Sequence, residues 1–77
     1  MTEEQALELV VAELHRAQAA HAPMSSPHHG YAVILEEVDE LWAEVKRRHR
    51  DPLRLKSEAM QVAAMAVRFL VDVVEPS

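Results

Sequence analysis

The sequence predicts an all-α fold, and three features carry that prediction. Apolar residues recur at three- and four-residue spacing over three long segments, and cap-and-proline pairs separate those segments at two places. Strand-forming material is scarce: aromatic residues make up 4% of the chain and there is one glycine, too few for hairpins and none to spare for a phosphate loop of the GxxxxGK type.

The first segment opens on Thr2-Glu3-Glu4-Gln5, a capping-box pattern in which the threonine hydroxyl and glutamine amide satisfy orphan backbone N–H groups. Leu7, Val10, Val11 and Leu14 then form a stripe that fades into Ala17, Ala19, Ala20 and Ala22 ahead of Pro23, so a helix is expected over about 2–21. Between Pro23 and Gly30 the prolines and serines break the periodicity, and Ser26-Pro27 reads as an N-cap with proline at the first helical position. The second helix is expected over about 27–50. Asp51-Pro52 repeats the same start signal, and the third helix is expected over about 52–74, with Pro76 beyond its end. Together these make a single all-α domain over 1–77.

At this length a chain buries only about 60% of the surface its unfolded form exposes. Domains below roughly 80 residues usually draw on disulfides, a metal or a partner chain. Cysteine is absent, which removes the disulfide route. The net charge of −5, with both signs interspersed, gives no basic field for DNA or RNA, so nucleic-acid binding is not expected. An acidic protein that takes a polyphosphate must recruit it through cations, because carboxylates and phosphates repel. No apolar run approaches the roughly 18 residues of a membrane span. Thr2, Glu3 and Glu4 stand where a signal peptide would carry positive charge, so a soluble, cytoplasmic protein with no membrane partner is expected.

At 100° per residue, Tyr31, Ile34, Leu35, Val38, Leu41, Trp42 and Val45 share one arc of the second helix, which places the two aromatic rings in the core. Glu36, Glu37, Glu40 and Glu44 share another arc. The third helix confines Arg54, Ser57, Glu58, Gln61, Arg68 and Asp72 to one polar stripe and is apolar elsewhere, from Met60 to Val74. Two companion helices cannot cover so wide an apolar face. The expectation is therefore a homo-oligomer, a dimer or dimer of dimers built as helical bundles in which the third helix packs on a second copy.

Glu36-Glu37-Val38-Asp39-Glu40 is an EExxE pattern whose acids stand three and four residues apart. Like charges at that spacing cost an isolated helix a few tenths of a kcal/mol each. An acidic helix face is also an ordinary solvated surface, with Glu44 paired to Arg48 and Arg47 spreading its charge among the acids. Glu58, flanked by Leu55, Val62 and Met65, needs a partner if another helix covers it. The short Asp51-Pro52 connection makes the last two helices antiparallel and brings Glu58 near the Glu40–Glu44 level. Carboxylates converging from two helices suit Mg²⁺, which takes oxygen ligands and bridges to phosphates. A di-iron bundle would need Glu-x-x-His, which does not occur.

The stretch from Ser26 to Trp42, together with Lys56-Ser57-Glu58-Ala59-Met60-Gln61 and the residues that follow to Asp72, resembles the MazG-like all-α nucleoside triphosphate pyrophosphohydrolases, whose signature is EExxE on one helix and ExxD on the next. The resemblance covers about two thirds of the chain. It implies a Mg²⁺-dependent hydrolase that converts a nucleoside triphosphate, NTP or dNTP, to the monophosphate and pyrophosphate by water attack at the α-phosphorus. It places Glu36, Glu37, Glu40 and Glu58 on the metal-binding positions, with Glu36 and Glu37 as catalytic carboxylates. Gln61 stands where the family has aspartate and offers only a neutral ligand, which supports a second reading: a non-catalytic relative that binds metal or nucleotide, or an oligomeric scaffold. Asp72 is about three turns too far along to substitute. His28 and His29, being adjacent, cannot chelate together on a helix and are read as helix-start residues, with substrate contact as the alternative. His15, His21 and His49 read as surface.

Overall fold

The computed structural model describes residues 1–76. Three helices account for most of them: α1 over Glu3–Ala20, α2 over Pro27–Val45 and α3 over Pro52–Phe69, the last continuing into a π-helical turn over Leu70–Val74. No strand occurs among the described residues, and no helix is long and apolar enough to cross a membrane.

Each helix starts where its cap dictates. The Thr2 hydroxyl accepts the Gln5 N–H while the Gln5 amide oxygen accepts the Thr2 N–H, closing a complete capping box. Ser26 accepts the His29 N–H and Asp51 the Leu53 N–H, each ahead of a proline at the first helical position.

The second helix stops at Val45, five residues short of expectation. Arg50 turns back and donates its Nε–H to the Val45 carbonyl, satisfying an orphan acceptor of the last turn. Residues 46–51 thereby reverse the chain, and the position before Pro52 is barred from helical backbone in any case.

The third helix ends near the expected residue, but its last five residues adopt the wider π geometry. There the Asp72 carboxylate accepts the Met24 N–H, and its Oδ2 lies 3.4 Å from Arg68 Nε.

Packing is centred on α3, which lies against both α1 and α2. These two helices cover part of its apolar circumference and leave Leu53, Val67, Leu70, Val71 and Val74 exposed. The core is small: Leu14, Ala17, Met24, Ala64 and Met65 are buried, with Val10, Val33, Ile34, Phe69 and Val73 packed around them. Gly30 is buried beneath Phe69, where any larger residue would press on the ring. Arg68 is buried, donating to the Ala22 carbonyl and lying beside Asp72, so the 21–26 connection is tied to the end of α3 at two points.

The apolar arc of α2 divides in two. Ile34, Leu41 and Val45 are half-buried, but Tyr31, Leu35, Val38 and Trp42 face solvent, with Tyr31 63% and Trp42 58% exposed. The expectation that the two aromatic rings sit in the core is thus corrected: the arc is wider than the face α3 can cover. Leu7 and Val11 of α1 and Val67, Leu70, Val71 and Val74 at the end of α3 are exposed as well.

Candidate metal centre and groove

The acidic arc of α2 faces α3. Glu37, Glu40 and Glu58 each bring one carboxylate oxygen within 4.8 Å of the others. The antiparallel pairing of α2 with α3 is what places Glu58, in the second turn of its helix, beside the middle of α2. Glu37 and Glu58 are half-buried, and each has a buried Oε2 with no hydrogen-bond partner among the described residues. An orphaned buried carboxylate oxygen costs free energy unless a cation or proton meets it.

The electrostatics carry the same sign. Burial pushes the Glu37 carboxyl up to about 7, assisted by the charge of Glu40 and a hydrogen bond with it, and by Glu58 and Glu36. Glu58 is raised as well, first by burial and then by Glu40 and Glu44. Without a cation Glu37 is therefore still partly protonated near neutral pH. Three carboxylate oxygens this close, in a cluster where Glu37 and Glu58 each have a buried Oε2 with no hydrogen-bond partner among the described residues, fit a hard divalent ion that accepts oxygen ligands and retains waters.

The other candidate residues divide around this cluster. Glu36 stands apart from it, exposed on the rim of a neighbouring groove that Glu37 also lines. Gln61 lines that groove one turn along α3 from Glu58, and its amide makes a long 3.5 Å contact to the Ser57 hydroxyl. Glu44 pairs with Arg47 at 3.3 Å and not with Arg48: α2 ends at Val45, so the helical i,i+4 register that would bring Arg48 over Glu44 is lost. Asp72 is occupied with Met24 and Arg68.

The groove, about 470 Å³, runs between α1, the 21–26 connection, α2 and α3. Ala17, Pro23, Val33 and Met65 supply an apolar floor, and Arg16, His29, Glu36, Glu37 and Gln61 supply polar lining. Its α1 wall was not anticipated. Glu13 is 7% exposed and its carboxylate grips the Arg16 guanidinium through both oxygens. That pairing holds the Glu13 carboxyl below the usual carboxylate range against the opposing effect of burial. The sequence signal was an acid and an arginine three residues apart on one helix, but ordinary surface pairs have the same spacing. His29 takes the helix-start role: its Nδ1 accepts the Ser25 N–H at 3.0 Å, and the ring also borders the groove. His28 lies in the same first turn and is exposed, as are His15, His21 and His49.

No family model, curated protein or solved structure matches this chain. The likeness to MazG-like enzymes therefore rests on the EExxE pattern, on Glu58 in the next helix, and on the flanking residues quoted with them.

Proposed function

We propose that the protein is a Mg²⁺-dependent nucleoside triphosphate pyrophosphohydrolase of the MazG-like type, which converts an NTP or dNTP to the monophosphate and pyrophosphate. The observation that carries this reading is the meeting of Glu37, Glu40 and Glu58 within 4.8 Å beside an open groove with an apolar floor. Glu37, Glu40 and Glu58 would hold Mg²⁺, with Gln61 as a weaker neutral ligand. When bound, the ion supplies charge neutralisation at the phosphates and lowers the pKa of coordinated water. Glu36 is free of the cluster and open to the groove, which suits it to orient the attacking water and accept its proton. Glu37 borders both the cluster and the groove and couples the two. The groove floor gives a nucleoside an apolar surface, with the Gln61 amide at hand as donor and acceptor.

Self-association belongs to the same reading. Tyr31, Leu35, Val38 and Trp42 follow a 4-3-4 spacing along the outer face of α2, the seam by which helices pair, and all four are exposed. A second copy would accordingly seat on this face of α2 as well as on the exposed end of α3, in a dimer or dimer of dimers.

Gln61 favours one other reading, a relative that binds metal and nucleotide without turnover, since the site lacks the fourth negative charge. Incubation with each NTP and dNTP in millimolar Mg²⁺, with pyrophosphate measured, tests the proposal. Release that disappears when Mg²⁺ is omitted is expected. If no nucleotide gives release, calorimetry with a non-hydrolysable triphosphate and Mg²⁺ separates the binder from the scaffold.

A further inference from the structure

We propose that Arg16 is the anion contact of the groove, binding a phosphate oxygen of a ligand whose divalent cation is held by Glu37, Glu40 and Glu58. This inference rests on the metal-bridged reading above and adds to it the group that recognises the anion directly.

The α1 wall is built to present this side chain. Arg16 is 61% exposed, yet its guanidinium is not free to wander: Nε donates to Glu13 Oε2 at 2.9 Å, and Nη2 donates to Glu13 Oε1. Glu13 is itself 93% covered, so the fork is anchored on a fixed carboxylate rather than on another mobile surface group. Two of the five guanidinium N–H groups are used in this way. Nη1 makes no hydrogen bond among the described residues, which leaves both of its N–H groups and one on Nη2 for a ligand.

The other arginine of the groove is already committed. Arg68 is buried, donates to the Ala22 carbonyl and the Met65 sulfur, and lies against Asp72. Arg16 is thus the available guanidinium in this groove. Glu37, on the opposite wall, lies close enough for its charge to help hold the Arg16 proton, after the larger effect of Glu13.

Charge decides the class of ligand. A cation-binding carboxylate cluster on one wall and an anchored guanidinium on the other match an anion that brings its own divalent ion, as a di- or triphosphate does. A simple carboxylate would meet Arg16 but would be repelled by Glu36 and Glu37. The side chain also answers a requirement of the net charge of −5, since phosphates that approach this surface need a fixed positive group besides the metal.

The test is calorimetric titration of inorganic pyrophosphate with Mg²⁺ into the wild type, Arg16→Gln and Arg16→Lys, alongside Mn²⁺ alone. Loss of a charge-assisted contact should weaken pyrophosphate binding about tenfold or more in Arg16→Gln, while Mn²⁺ affinity stays within about twofold. Arg16→Lys keeps the charge and the ion pair with Glu13 but loses the planar fork, and should lose about threefold or more. It also keeps the test decisive if Arg16→Gln unfolds by leaving Glu13 unpaired. Pyrophosphate binding as tight as wild type in a folded Arg16→Gln or Arg16→Lys overturns the assignment of Arg16 and leaves the metal reading intact. Wild-type protein that binds Mn²⁺ but not Mg²⁺-pyrophosphate overturns the Arg16 proposal alone. Failure to bind Mn²⁺ overturns the reading on which it rests.

Discussion

Replacing Glu37 by glutamine should make the metal-free protein more stable at neutral and alkaline pH. The Glu37 carboxyl is pushed up to about 7 from an ordinary 4.5, first by burial and then by Glu40. Between those two values the folded chain keeps a proton that the unfolded chain gives up. Stability must therefore fall as pH rises from 4.5 to about 7 and level off above that. An unscreened shift of this size corresponds to about 3 kcal/mol. One edge of Glu37 meets the solvent of the groove, and screening there reduces the expected contribution to about 1–2 kcal/mol. Glu58, also raised, adds to the same slope. Glu13 works the other way: its lowered pKa contributes stability above the ordinary carboxylate range that is lost as pH falls through the lowered value.

Glutamine preserves the shape of Glu37 and can donate to Glu40, so Glu37→Gln should gain about 1–2 kcal/mol over wild type at pH 8 and almost nothing at pH 4.5. Urea unfolding of both proteins across pH 4.5–8.5, in chelator, measures the difference. Parallel profiles, or a mutant less stable at pH 8, would refute the account of Glu37 as a carboxyl held at a cost.

Gly30→Ala should destabilise, because a methyl there would lie 2.5 Å from Cδ2 and 2.8 Å from Cε2 of Phe69. Overpacking of about 1–3 kcal/mol outweighs a helix-propensity gain of about 1 kcal/mol, and a melting curve reads the balance. Arg68→Ala leaves the Ala22 carbonyl and the Asp72 carboxylate without their buried partner, at a cost of about 3–5 kcal/mol, enough to unfold much of so small a domain in a denaturant titration. Trp42→Ser combined with Leu35→Ser should shift the mass measured by light scattering toward monomer if the outer face of α2 seats a second copy. Gln61→Asp should enlarge the rise in melting temperature caused by millimolar Mg²⁺, and equal shifts in mutant and wild type would place Gln61 outside the metal shell.

The helix starts were legible because Thr2, Ser26 and Asp51 act locally, through hydrogen bonds to residues two or three positions on. The early stop of α2 was not, since it depends on Arg50 folding back to Val45, a contact that several basic residues in the 46–50 run could have made. The convergence of Glu58 with the acids of α2 could be anticipated from one short connection and antiparallel packing. Which of those acids converge could not: the offset between two helices along their axes is set by side-chain packing, and it leaves Glu36 on the groove rim while Glu37 joins Glu40 and Glu58. The helical wheel identified the apolar arc of α2 but not how much of it α3 would cover. Tyr31 and Trp42 were misplaced for that reason. The polar stripe contained Arg68 and Asp72 but not their roles, because their partners Ala22 and Met24 lie more than forty positions away and nothing local announces them.

The claim on which the rest depends is that Glu37, Glu40 and Glu58 form one site for a divalent cation, and calorimetric titration of Mg²⁺ at pH 8 into wild type and Glu40→Gln tests it most directly. Glu40 is exposed, so its replacement should leave the fold intact while removing one of the three converging carboxylates. The account predicts saturable binding to the wild type, with affinity reduced about tenfold or more in Glu40→Gln, the loss of one charged ligand from a site of three. Equal heats in the two proteins, or none in either, would show that the carboxylates of α2 and α3 are a shared acidic surface and not a metal centre.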